Sequence, residues 1–93
     1  MAFIPRESKV EKQIREYAQA TGWWVAKFTS PGLAGVPDRI FIRAGLVLFM
    51  EVKRRTTKPT KQQALRMKEM KEHGAIVTWV SSFEEAKEWL DFL

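Results

Sequence analysis

The chain has 93 residues, no cysteine, and 16 Lys and Arg against 11 Asp and Glu, for a net charge of +5 and a pI near 9.8. Without cysteine there is no disulfide framework and no thiolate metal site, and no apolar run is long enough to span a bilayer. The length suits one domain over 1–93; with no secretory signal, the expectation is a soluble intracellular protein, cytoplasmic or nucleoid-associated, whose basic surface favours a nucleic-acid partner and no membrane.

After a loose start to about Pro5, Arg6 to Ala20 carries Val10, Ile14, Tyr17 and Ala18 at helical spacing, and Gly22 follows as a stop. Trp23 to Phe28 is short, apolar and aromatic and reads as a strand. Its adjacent tryptophans face opposite sides, so one of them needs a cover, either a helix of the chain or a partner. Thr29 to Pro37 holds two glycines and two prolines and reads as loop. Arg39 to Arg43 and Leu46 to Lys53 form a hairpin about Ala44-Gly45. The unbroken run Leu46-Val47-Leu48-Phe49-Met50 predicts a strand buried on both faces in mid-sheet. A basic loop, Arg54 to Pro59, leads to a helix from Thr60 to about His73, ended by Gly74. Ile76 to Val80 is a strand, and Ser82 caps a last helix with Glu85 as capping-box partner. Phe83, Ala86, Leu90 and Leu93 form that helix's buried stripe. The order αβββαβα predicts an α/β fold, a mixed central sheet flanked by helices, with a crossover through the second helix.

The hairpin concentrates the chemistry. A two-residue turn at Ala44-Gly45 sets Arg43 against Leu46, Phe41 against Leu48 and Asp38 against Glu51. Opposed residues have Cβ atoms about 4.5–5.5 Å apart, and two carboxylates there repel. A divalent cation between them removes the conflict, and oxygen ligands with room for water suit Mg²⁺ or Mn²⁺. Glu51 and Lys53, two apart on a strand, point to one face. Val52 points to the other, with its carbonyl free to face the metal. A carboxylate pair, a cation and a lysine are what phosphodiester hydrolysis needs. The bland alternative is a surface ion pair at a strand end, and another turn type would shift the register.

Pro37-Asp38, thirteen positions on to Glu51, and Glu51-Val52-Lys53 resemble the PD-(D/E)XK nuclease motif. With Lys27-Phe28-Thr29-Ser30-Pro31-Gly32, Gly35-Val36-Pro37-Asp38 and the downstream Lys58-Pro59 and Gln63, the chain resembles the VRR-NUC family from about Glu7 to Val80. The resemblance implies a restriction-endonuclease-like core and Mg²⁺-dependent cleavage of DNA, with Asp38 and Glu51 as metal ligands and Lys53 assisting catalysis. It also implies a helical glutamate and Gln63 in the site, and a homodimer acting on branched DNA such as four-way Holliday junctions.

Glu7 and Glu11 share a helix face leaning toward the core side; the spacing of Glu11 to Gly22 resembles that in junction resolvases and favours Glu11. Gln63 lies on the face of Met67 and Met70 and either orders a ligand or closes a capping box with Thr60. Arg54, Arg55, Lys58 and Lys61 form a basic run suited to phosphate contacts, and Lys27 and Ser30 border the Gly/Pro loop where they can touch DNA. His73, at a helix C-terminus, is placed for the dipole rather than for proton transfer. The leading function is a metal-dependent endonuclease. The alternatives are a catalytically inactive nucleic-acid-binding module and a structural subunit of a DNA-processing complex.

Overall fold

The structure is a computed structural model that describes residues 7–93. The expectation for the segment to Pro5 lies outside the described residues, and the helix expected from about Arg6 begins only at Lys9, so Glu7 precedes it rather than sharing its face with Glu11. The helix α1 spans Lys9–Ala20 and begins at a feature that the apolar spacing does not reveal. The Ser8 hydroxyl accepts from the Glu11 N–H, and the Glu11 carboxylate accepts from the Ser8 N–H, so two backbone donors left over at the helix start are satisfied. There follow β1 (Trp24–Lys27), β2 (Arg39–Arg43), β3 (Leu46–Val52), α2 (Lys61–Glu72), β4 (Ile76–Val80) and α3 (Phe83–Phe92), in the order expected.

The four strands lie in the order β1-β2-β3-β4, antiparallel except for the parallel β3–β4 pair that α2 connects. At the β2–β3 turn Ala44 has φ 49° and Gly45 φ 81°. Two consecutive positive φ values give the twist that a two-residue hairpin turn needs. The register follows: Arg43 pairs with Leu46, Phe41 with Leu48 and Arg39 with Met50. Carried one step past that last pair, the register sets Asp38 opposite Glu51, close enough for its charge to act on the Glu51 carboxyl.

The sheet has helices on both faces. Ile14 and Ala18 of α1, with Ala86 and Leu90 of α3, pack on Phe41, Leu48, Met50 and Val80. Each large apolar side chain buried here contributes about 1.5–3 kcal/mol. The Tyr17 hydroxyl bonds to Asp91, and its ring meets Phe83 edge-on at 5.6 Å, tying α1 to α3. Phe49 and Val77, whose side chains alternate to the other face, lie on the side of α2, where Met67 is buried. One helix does not cover that whole face. Val47 is therefore exposed, so β3 is fully buried on one face only, which corrects the expectation of burial on both. Trp23 is buried, with the Arg43 guanidinium 4.2 Å from its ring, while Trp24 on the opposite face is 59% exposed. At α3 the capping box is only half formed as expected. The Ser82 hydroxyl accepts the Glu85 N–H, but the Glu85 carboxylate reaches back to the N–H and hydroxyl of Ser81, one residue earlier, and to the Ser82 hydroxyl.

Candidate active site

The loop before β2 carries Asp38 to the sheet end, and three contacts fix it. The Phe28 N–H donates to the Asp38 carbonyl at 2.7 Å, continuing the β1–β2 pairing. The Arg66 side chain of α2 donates through Nε to the Ala34 carbonyl at 2.8 Å. Gly35 (φ 89°) passes so close to α2 that a Cβ there would stand 2.9 Å from the Gln62 carbonyl oxygen. Pro37 is fully buried, and Asp38 follows it into solvent.

Glu51 leaves β3 on the face that Asp38 shares, but its side chain is only 14% exposed. Burial pushes its carboxyl up to about 7, and the Asp38 charge adds to the rise; Lys53 pulls it back in part. Glu11 contributes a weaker upward push, and a hydrogen bond from the Asp38 backbone a weaker downward one. Lys53 Nζ lies 3.9 Å from Glu51 Oε2 and is itself 14% exposed. The structure thus brings together Asp38, Glu51 and Lys53. The Val52 side chain packs toward the core on the other face, as alternation requires.

Glu11 and Glu7 both lean toward the sheet, and there they meet a residue that the sequence reading passed over. Arg39 is only 4% exposed. Its Nη2 lies 3.0 Å from Glu11 Oε2 and 3.1 Å from Glu7 Oε1, and Arg15 Nε also donates to Glu7 at 3.1 Å. Burial raises the Glu7 carboxyl, but the hydrogen bond from Arg15 and the charge of Arg39 outweigh it and hold the group below its usual range. Glu11 is likewise raised by burial and brought below its usual range by Arg39 and the Ser8 hydrogen bonds. The signal was available. Arg39 alternates with Phe41 on the inward face of β2, and a buried charge requires a partner.

The other candidates are dispersed. The Gln63 side-chain oxygen accepts the Thr60 N–H at 3.0 Å and closes a capping box, one of the two roles left open for it. Lys27, Arg54, Arg55, Lys58 and Lys61 are exposed, and Ser30 is half-buried with its carbonyl accepting the Leu33 N–H. A cleft of about 900 Å³ opens between the starts of α1 and α3, with Lys9, Glu11, Lys53, Arg54 and Arg55 in its walls. Asp38 and Glu51 do not line it, so Lys53 is the link between the cleft and the carboxylate pair. His73 caps α2 through Nδ1 and the Glu69 carbonyl, 2.8 Å apart, as its position at the helix end predicted.

Among the described residues, no group of three or more Asp, Glu or His side chains converges as a metal cage. The donor set that does exist, Asp38 and a Glu51 whose carboxyl burial raises to about 7, suits a divalent ion that keeps several of its waters and takes only one or two protein carboxylates.

No family model matches the chain. The chain is 39% identical over 59 residues to the protein named "Putative nuclease p44" of Acyrthosiphon pisum secondary endosymbiont phage 1, a match that covers 62% of this chain and 63% of the relative's length. A solved structure titled "VRR_NUC domain" superposes with a TM-score of 0.82 at 31% identity, over 91% of this chain and 94% of that one. A second, "VRR_NUC domain protein", shares the fold at a TM-score of 0.75 and 17% identity, over 98% and 89%. The sheet, its flanking helices and these likenesses define a nuclease-type α/β fold. The chain belongs to the VRR_NUC family. Among the described residues no helix is long and apolar enough to cross a membrane.

Proposed function

We propose that residues 1–93 form one nuclease domain, a Mg²⁺- or Mn²⁺-dependent endonuclease that hydrolyses DNA phosphodiesters inside the cell, with a preference for branched DNA such as four-way junctions. The observation that carries this reading is the hairpin register, which ends at Arg39–Met50 and, carried one step on, sets Asp38 opposite Glu51, with Lys53 3.9 Å from Glu51. Opposed carboxylates cost stability unless something cationic joins them, and Lys53 offsets only part of the charge. Asp38 and Glu51, with the Val52 carbonyl, are the groups that would hold the ion. When bound, it supplies Lewis acidity at the phosphate and favours ionisation of the attacking water.

The protein's own groups do the rest. Asp38, open to solvent, meets the phosphate from the side that water can reach. Glu51, with a carboxyl near neutrality, gives up its proton at working pH when a cation arrives. Lys53 keeps an ammonium beside the reacting phosphate, where it orients the nucleophile and balances the growing negative charge. Lys9, Arg54 and Arg55 line the neighbouring cleft, Lys58 and Lys61 follow them along the chain, and Lys27 and Ser30 border the loop that leads to Asp38; together they offer a track for the DNA backbone.

One site cuts one strand, so symmetric cutting of a junction requires a second copy. The homodimer reading is supported by a row of apolar residues in register across the sheet, Trp24, Ile42 and Val47, of which Trp24 and Val47 are exposed. Sedimentation of native protein and Trp24→Glu tests it: a dimer that becomes a monomer supports the face, and a native monomer removes it.

Cleavage of labelled four-way junction, flap and linear duplex in Mg²⁺ or Mn²⁺, with Lys53→Ala as control, tests the function. Metal-dependent cutting of the junction alone, lost in the variant, supports the full reading. Equal cutting of all three retains the nuclease and removes the junction preference. Junction binding without cutting overturns the enzyme.

A further inference from the structure

We propose that the hollow beside the carboxylate pair, walled by Phe28, Leu33, Phe49 and Met70, takes an unstacked nucleobase of the DNA strand that lies over Asp38 and Glu51. This site rests on the nuclease reading for its strand, and on its own walls and rim for the base.

Alternation places Phe49 and Glu51 on the same face of β3, the side of α2. Phe28 joins them there, because its ring meets Phe49 edge-on at 5.9 Å. The Phe28 N–H also donates to the Asp38 carbonyl at 2.7 Å, so the two residues are opposed across adjoining strands, an arrangement with Cα atoms about 5.5 Å apart. A strand with its phosphate at Asp38 therefore brings the base of an adjacent nucleotide within reach of Phe28. The hollow measures about 320 Å³, at the lower end of the range for small-molecule sites, about 300–1,000 Å³. Its walls are apolar or aromatic, and Phe28 and Leu33 are 38% and 47% exposed. Its rim is polar. Arg66 spends Nε on the Ala34 carbonyl and Nη1 on Glu69, which leaves Nη2 for an acceptor. His73 Nδ1 faces the Glu69 carbonyl and so carries the proton, which makes Nε2 of the neutral ring an acceptor. Apolar walls with a donor and an acceptor at the edge match a nucleobase, which has a π face for stacking and hydrogen-bonding groups around its rim. A hydrocarbon chain would leave the rim unused, and a phosphate would leave the walls unused. An unpaired nucleotide at a branch enters such a hollow at less cost than a base held in duplex, which gives a preference for branched DNA a physical cause.

The test is equilibrium binding of the full chain, in chelator and at low salt, to two labelled single strands of equal length. One is oligodeoxythymidine; the other is its fully abasic counterpart, which keeps the phosphates and lacks the bases. Phosphate contacts act on both strands alike, so the difference between them reads the bases. Native protein is compared with Phe28→Leu, Phe28→Tyr and Leu33→Ala. The hollow predicts that native protein prefers the thymidine strand and that Phe28→Leu weakens this binding about fivefold or more, the scale of losing a stacking ring, with no matching loss on the abasic strand. Phe28→Tyr, which keeps a ring, keeps the preference, and Leu33→Ala lowers it. Equal losses on both strands, or no loss on either, overturn the hollow. If Phe28→Leu does not fold, Leu33→Ala on the exposed loop decides, and an unchanged preference overturns the hollow. Cleavage of labelled DNA in Mn²⁺ separates this site from the nuclease reading. Cutting without a base preference that depends on the hollow overturns the hollow alone. Such a preference without cutting overturns the nuclease and leaves a nucleobase site. Native protein that neither binds the strands nor cuts overturns both.

Discussion

Lys53 Nζ lies 3.9 Å from Glu51 Oε2, and each side chain is only 14% exposed. At that distance and depth the ammonium is the main cationic influence on a carboxyl pushed up to about 7. Lys53→Ala should leave the fold intact, with melting within a few degrees of native, because β3 is held by Leu48 and Met50 in the core. Cleavage should fall by about 10²–10³, the scale of losing one preorganised electrostatic partner. Single-turnover rates with circular dichroism melts check both halves. A variant that cuts at the native rate removes Lys53 from the mechanism.

Stability against pH reads the same site without substrate. The folded-state carboxyl of Glu51 lies above the ordinary value of 4.5. The native protein therefore binds this proton more tightly than the unfolded chain does. The associated stability is fully present below pH 4.5 and is lost as pH rises through about 7. Glu7 and Glu11 act with the opposite sign, since their lowered carboxyls lose stability as pH falls. Glu51→Gln isolates the first effect. In chelator it should stabilise the protein by on the order of 2 kcal/mol at pH 8, with the gain shrinking toward pH 5. Denaturant melts across that range check this, and a pH-independent difference refutes it.

Gly35 sets how closely the Asp38 loop meets α2. A Cβ there would stand 2.9 Å from a backbone oxygen, at a φ of 89° that side chains rarely adopt. Gly35→Ala should cost about 1–3 kcal/mol and shift the loop that delivers Asp38. Cleavage should drop more than the stability loss alone explains, measured well below the melting transition.

Gln63 offers a clean separation of two roles. Its side-chain oxygen accepts the Thr60 N–H, a bond that glutamate also makes in a capping box. Gln63→Glu should keep both melting temperature and cleavage, while Gln63→Ala should lose about 1 kcal/mol. Loss of cutting in a fully stable Gln63→Glu would assign the amide nitrogen a part in the reaction.

Much of this architecture was legible beforehand because its signals are local. Apolar spacing marks α1 and α3, Gly22 and Gly74 mark helix ends, and Ala44-Gly45 fixes the register that opposes Asp38 to Glu51. At the start of α3 the Glu85 carboxylate lies nearer the Ser81 hydroxyl than that of the N-cap Ser82, a choice that spacing leaves ambiguous by one residue. The exposure of Val47 was hidden because a continuous apolar run does not say how wide the covering helix is. Arg39 was the larger omission. Its partners are 28 and 32 residues away in the chain, and only the packing of α1 onto the sheet brings them together. Lys9 and the start of α3 beside the Arg54–Arg55 cleft are likewise products of tertiary folding.

The Ala44-Gly45 turn lies at the opposite end of β2 and β3 from the site, yet it meters the site like the gearing of a clock. One extra residue there would leave Asp38, Glu51 and Lys53 unaltered in the sequence. If the strands re-paired around the longer turn, each of these side chains would meet a different opposite number. A homologue can therefore preserve the whole motif and still be silent, and the length of a distant hairpin is where such silence would be written.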